Sequence, residues 1–143
     1  MRWGTGGRER GSAVIEAVIG IPAFMLFVGL IIAAGRFTIA QHSVESAANA
    51  AARAASISRT QEQAQGAGSS SAATTLNDQG LTCSSKTVSI DTTGFAAPVG
   101  TPARVTATVT CQIQVADLAV PGLPGTLSVE ATMASAIDTY RER

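Results

Sequence analysis

The hydrophobic residues of this chain are concentrated in one uninterrupted block near its beginning. The segment from Ala17 to Gly35 comprises 19 residues without a charged or strongly polar side chain. Because a bilayer core of about 30 Å requires roughly 20 apolar residues in a helix, this block predicts a transmembrane helix. The alternative is a core helix of a globular protein, but no other segment is apolar enough to surround it.

The helix is predicted to continue beyond the apolar block. Residues 41–58 are rich in alanine and contain neither glycine nor proline. A helix over 12–58 would be about 70 Å long, so more than half of it would project from the bilayer. Glu45, Asn49 and Arg53 recur every four residues and predict a solvated stripe rather than a binding site. The alanines form a smooth surface that either the chain's own strands or a partner helix can cover: Ala47, Ala48, Ala51, Ala52 and Ala55.

The composition changes after the alanine-rich segment. Residues 61–73 consist mainly of Gln, Gly, Ser and Ala, which is typical of flexible linkers. We therefore predict a flexible connector over 59–75, which separates the helix from a strand-rich domain over 76–143.

The C-terminal part shows the two-residue period of β-strands. From Val105 to Val115, apolar residues alternate with Thr and Gln, which indicates a strand with one buried face. We predict strands over 86–91, 103–115 and 126–137. The predicted fold is α+β: a long N-terminal transmembrane helix that extends out of the membrane, followed by a small antiparallel sheet of about three strands.

The distribution of charge predicts the orientation of the helix. Three arginines, Arg2, Arg8 and Arg10, precede the apolar block, whereas Arg36 alone follows it closely. Positive charge favours the cytoplasmic side, so residues 1–11 form a basic cytoplasmic leader and the C-terminal part is extracytoplasmic. A cleaved secretory signal peptide has the same order of regions, but its apolar region is shorter, about 7 to 15 residues.

The chemistry-bearing residues favour a structural protein. Cys83 and Cys111 lie in the part assigned to the oxidising side, so we predict a disulfide, which would stabilise the fold by about 3 to 4 kcal/mol. No metal site is predicted, because the one histidine, His42, lies on the helix and two thiolates make an incomplete zinc site. We predict no catalytic residues, cofactor or small-molecule substrate, because no nucleophile motif or phosphate loop is found. The formal net charge of zero also argues against nucleic-acid binding.

One acid interrupts the apolar character at the start of the helix. A carboxylate at the edge of a bilayer is costly, which marks Glu16 as a functional candidate, although an acid that stays hydrated is the alternative. Glu16 is the fifth residue after Gly11, which ends the basic leader. This arrangement resembles the processing site of type IV-like prepilins, where a membrane peptidase cuts after a glycine and leaves a glutamate as the fifth residue of the product.

A second resemblance covers most of the chain. The segment Arg10-Gly-Ser-Ala-Val-Ile-Glu16, the apolar block and the alanine-rich segment with Arg53 are similar to the TadE-like family of tight-adherence (Flp) pilus proteins. Members are minor pilins or pseudopilins with a long N-terminal helix and a small strand-rich C-terminal part. The chain departs from the commoner pattern at Ala17, where an aromatic residue is frequent.

The resemblance implies how such a protein would act. A prepilin peptidase would cut between Gly11 and Ser12, and Glu16 would then pair with the new amine during assembly. The implied partners are membrane lipid, the peptidase and other pilus subunits. Two alternatives stay open: a permanently membrane-anchored extracytoplasmic binding domain unrelated to pili, and a secreted adhesin domain released by signal peptidase.

Overall fold

The longest element of the protein is a single N-terminal helix. The computed structural model describes residues 9–118 and 124–140, so residues 1–8 of the predicted basic leader lie outside the described residues. Helix α1 spans Glu9–Ser56, with Pro22 inside it. It is long and apolar enough to cross a membrane. The predicted long apolar helix is therefore confirmed.

Helix α1 has two parts with different surroundings. From Val14 to Ile32 all its large hydrophobic side chains except Val28 are exposed in the isolated chain, as expected for a segment whose solvent is lipid. Burial begins at Ala40 and continues to the end of the helix. One uninterrupted helix therefore supplies both the candidate membrane span and part of a folded core.

The sheet has three antiparallel strands in the order β1-β2-β3. Strand β1 spans Ser85–Asp91, β2 spans Ala103–Gln114 and β3 spans Thr126–Ile137. The α+β prediction with a three-stranded antiparallel sheet is confirmed. The second strand ends one residue earlier than predicted, because Val115–Leu118 forms a 3-10 helix.

The sheet buries one face against the helices. Alternate residues of β2 from Val105 to Ile113 are buried, and they pack with the alanine-rich part of α1 in two adjoining clusters, Val105 with Ala55 and the other four residues with the alanines that precede Ala55. On the opposite face, the Thr108 and Thr132 hydroxyls lie 3.0 Å apart, and Thr110 donates to Glu130 at 3.1 Å. The alanine surface of α1 is therefore covered by the chain itself, which resolves the choice that the sequence left open.

The flexible connector predicted over 59–75 is wrong. This segment forms helix α2, Gln61–Asp78, and the Thr60 side chain caps it by accepting from the Gln63 backbone N–H. Four small or apolar residues, spaced four apart, are buried on one face: Ala64, Gly68, Ala72 and Leu76.

Close packing between the two helices explains the small residues of α2. A Cβ atom added to Gly68 would lie 3.2 Å from the Ala51 carbonyl oxygen and 2.8 Å from Ile90 Cδ1. Ala64 belongs to the same core cluster as Ala55, whereas Leu76 clusters with Ala40, so α2 runs back along α1 towards the candidate span. The predicted domain boundary is therefore also wrong, since α1, α2 and the sheet share one core.

Candidate functional site

The residues of the predicted processing site lie in the first turns of α1. The helix includes the backbone of Gly11 and Ser12. Glu16 follows Ser12 by four residues, which puts the two positions one above the other on the same side of the helix, about 6 Å apart along its axis. Helical side chains tilt towards the N-terminus, so this spacing suits an interaction between the Glu16 carboxylate and a group at position 12.

The surroundings of Glu16 differ from those of an ordinary buried acid. It is exposed and forms neither an ion pair nor a hydrogen bond with any side chain from Val14 onward that the structure describes. Its neighbours on the helix surface include the apolar residues Ile15 and Ile19, each more than 60% exposed. An acid in such a position needs water, a proton or a cation from outside the helix.

A contact at the other end of the apolar block joins the helix to the folded core. The Arg36 guanidinium donates through Nη1 to the Asp117 carbonyl oxygen at 2.9 Å. Sequence reasoning used Arg36 only as a charge behind the span and assigned Asp117 no role. The sequence marks Arg36 only as the first charged residue after the apolar block. Nothing in the sequence indicates that its hydrogen-bond partner lies 81 residues away.

The polar stripe on α1 faces away from the core. Asn49 and Arg53 are exposed and Glu45 is half-buried. Glu45 lies 3.4 Å from His42 Nδ1, an exposed pair that contributes at most about 1 kcal/mol. This part of α1 has the solvated surface that its sequence spacing predicts.

The two cysteines join the segment that follows α2 to the central strand β2. The structure pairs Cys83 with Cys111 as a disulfide, with their Cα atoms 5.4 Å apart. The next residue, Ser84, also contacts the central strand, since its backbone N–H donates to the Gln112 carbonyl oxygen at 2.8 Å. Cys111 is completely buried in the core, so the bridge ties the chain after α2 to the central strand.

The described acids do not form a metal-binding cluster. In residues 9–118 and 124–140, no group of three or more His, Cys, Asp or Glu could hold a metal ion. The backbone N–H of Thr93, which donates to Asp91 Oδ1 at 3.0 Å, and the Thr93 side chain lower the pKa of the Asp91 carboxyl. That interaction begins the 3-10 helix Thr93–Ala96 and marks a turn.

The comparison with known families falls on α1. The family model described as TadE-like protein matches residues 11–53, which confirms the resemblance to the TadE-like family over this segment. The match begins at the predicted processing site and ends at Arg53, so it includes the exposed and most of the buried part of the helix. No curated protein and no solved structure matches the chain. The family is structural and non-enzymatic, and the match supports a general role of the minor-pilin type, associated with the tight-adherence pilus.

Proposed function

We propose that this protein is a minor pilin or pseudopilin of a tight-adherence (Flp, type IVb-like) pilus. The observation that carries the proposal is the coincidence of the family match, residues 11–53, with a helix that is uncovered in its first part and packed in its second. Such a helix can be held in a membrane before assembly and can pack against other subunits afterwards. The described part of the chain contains no group of His, Cys, Asp and Glu side chains that could hold a metal ion.

Processing is the first step of the proposed mechanism. A prepilin peptidase hydrolyses the peptide bond between Gly11 and Ser12, which removes the basic leader and gives Ser12 a free amine. The helix then begins at Ser12, and its first four backbone N–H groups have no helical partner. Positive charge is thereby concentrated at this end of the helix, both from the amine and from the helix dipole.

Assembly is the second step, and Glu16 acts in it. Its carboxylate pairs with the Ser12 amine of the same or a neighbouring subunit. In a low-dielectric environment such a pair offsets part of the desolvation cost of both charges, whereas one unpaired charge would be strongly unfavourable. The pairing therefore fixes the axial register of the subunit among its neighbours.

The proposed location follows from the leader. Arg2, Arg8 and Arg10 keep the N-terminus in the cytoplasm of a bacterial cell, with α1 crossing the membrane once. The α2 helix and the sheet then lie outside the cytoplasm, where the disulfide is stable. The partners are membrane lipid, the peptidase and other pilus proteins.

Substitution of the residue before the cut tests the processing step. Gly11→Leu should leave the full-length chain in the membrane, because a bulky side chain keeps the peptidase from the backbone. Gly20→Leu is the matched control, since a Cβ at Gly20 meets no atom within 4 Å. Intact-mass analysis of membrane-extracted protein should find this control shortened by residues 1–11. Normal shortening of the Gly11→Leu chain would contradict cleavage at this bond.

Substitution of the acid tests the assembly step. Glu16→Ala should still be cleaved but should fail to enter the pilus or to co-purify with other pilus subunits, because the amine has lost its partner. Glu45→Ala, which removes an acid from the solvated part of the same helix, should assemble normally. Normal piliation by Glu16→Ala, with Ser12 confirmed as the first residue, would refute the pairing and leave the minor-pilin assignment intact.

The same mass measurement separates the alternative functions. A chain that is found only at full length, without associated pilus subunits, would be a permanently anchored binding domain. A soluble product cut after the apolar block would be a secreted domain released by signal peptidase. Either result would refute the proposed function.

A further inference from the structure

The end of the folded core that is nearest the span contains an open cavity. Its volume is about 310 Å³, and α1 contributes Arg36, Ile39, Ala40 and Ser43 to its wall. The turn after α2 and the 3-10 helix with Asp117 form the other side. This cavity is unrelated to Glu16, which lies at the opposite end of the apolar block.

The position of the cavity along α1 matches the headgroup layer of a bilayer. The apolar block ends at Gly35, and the cavity wall extends from Arg36 to Ser43, roughly 10 Å along the helix axis. The polar layer on each side of the hydrocarbon core is about 5 to 8 Å thick. Ile39, in the cavity wall, is 65% exposed, so an apolar side chain is open at this level.

Both signs of charge line this cavity. The Arg36 guanidinium uses Nη1 to hold the Asp117 carbonyl oxygen, and its remaining N–H groups are available to an anion. The Asp117 side chain is exposed and forms no ion pair with any described cation. Helix α2 ends beside the cavity at Asp78, and Gln79 lies in the wall, so the negative end of its dipole adds to the acidic side.

We propose that the cavity binds the headgroup of a phospholipid that carries a primary ammonium, supplied by the membrane in which α1 is anchored. Arg36 binds the phosphate and Asp117 receives the ammonium. A purely anionic headgroup would satisfy Arg36 but would face the Asp117 carboxylate, so the pair of charges selects a zwitterion. This inference rests on the membrane anchoring within the proposed function, and not on cleavage or pilus entry.

Native mass spectrometry of the full-length chain in detergent tests the proposal, with phosphatidylethanolamine and phosphatidylglycerol as competing probes. The unmodified chain should retain phosphatidylethanolamine in preference. Arg36→Gln should reduce that retention about tenfold, as expected for the loss of one charge-assisted hydrogen bond. Arg53→Gln is the matched control on the same helix, since Arg53 is exposed away from the cavity.

A second variant keeps the test independent of folding. Asp117→Asn leaves the backbone carbonyl that binds Arg36 unchanged, and it should abolish the preference between the two lipids without abolishing retention. Asp138→Asn, at the far end of the core, should retain the preference. Equal retention of both lipids by the unmodified chain, or an unchanged preference in Asp117→Asn, would overturn the proposal. A chain that shows the preference but never assembles would refute only the pilus function.

Discussion

Two glycines of α2 differ in the space that their neighbours leave for a side chain. Gly66 has no atom within 4 Å of an added Cβ, whereas Gly68 faces Ile90 and the Ala51 carbonyl oxygen at 2.8 and 3.2 Å. The two residues lie on different sides of the same helix. Of these two glycines, only Gly68 is therefore required by the close approach of α2 to α1 and to Ile90 of β1.

Substitution by valine should destabilise the fold at Gly68 and have little effect on stability at Gly66. Gly68→Val should lower the free energy of unfolding by about 1 to 3 kcal/mol, because the side chain overfills the contact between the helices. Gly66→Val should be neutral or slightly stabilising, within about 0.5 kcal/mol, since valine has a higher helix propensity than glycine. Denaturant unfolding of the two chains in detergent, followed by circular dichroism, measures both values. A Gly68→Val chain as stable as the Gly66→Val chain would contradict the close contact at Gly68.

At the scale of elements, the second part of α1 is the central surface on which the core is built. Ala48 and its neighbours at four-residue spacing are completely buried against α2 and the sheet. Asn49, the next residue, is on the exposed side. The helix therefore separates a closely packed face from a solvated one within one turn.

A leucine introduced on each face should distinguish them. Ala48→Leu should destabilise the fold by about 1 to 3 kcal/mol, because the core has no space for three further carbon atoms. Asn49→Leu should change stability by no more than about 0.5 kcal/mol. Thermal unfolding in detergent gives both changes. Unchanged stability of the Ala48→Leu chain would mean that this face is available to a partner.

The disulfide ties the segment between α2 and β1 to the central strand β2. Cys83 and Cys111 close a loop with a sequence separation of 28 residues. Replacing both by alanine should lower the free energy of unfolding by about 3 to 4 kcal/mol in the chain-entropy model, and added reductant should then have no further effect. Alkylation of both thiols in natively extracted, unreduced protein would contradict the bridge and the extracytoplasmic assignment.

Local patterns predicted some elements and could not predict others. The two-residue period of β2 and the apolar block of α1 are encoded in neighbouring residues, and the structure confirms the elements that they predict. The overall Gly and Ser content of the α2 segment predicts a linker, because composition alone ignores how the individual residues are spaced. The spacing of Ala64, Gly68 and Ala72 becomes informative only when a facing helix is known. The alanines on α1 could pack equally well against the chain's own strands or against a partner helix. Only the long-range packing of the folded chain shows which of the two covers them.

At the scale of the whole molecule, α1 gives the folded core one end near the candidate span and one end far from it. Helix α1 extends from the candidate span into the core, and Ser56 at its end accepts a hydrogen bond from the Ser135 hydroxyl at 3.0 Å. The Arg36 contact lies at the opposite end of the core. The core is therefore held against α1 at both ends, and the end that contains Arg36 is adjacent to the span.

The leader arginines predict which side of the membrane the core occupies. A reporter that functions only outside the cytoplasm should be active when it is fused after Arg143. Replacing Arg2, Arg8 and Arg10 by glutamine should reduce this activity, because the charge difference across the span is lost. The matched fusion with a reporter that functions only in the cytoplasm should be inactive. Activity of that second fusion in the unmodified chain would reverse the orientation.

The continuity of α1 also has a mechanical consequence. Because no loop separates the span from the core, tension applied to the span during extraction from a bilayer is transmitted directly along the helix axis. The load reaches the core as shear along the alanine face, where α2 and the sheet contact α1 over several turns. Many small contacts that must break together resist such a load better than a terminal strand that can be peeled away one bond at a time. Because α1 is continuous, the folded part is not attached to its anchor by a hinge, and its resistance to such a load depends on the contacts of the alanine face.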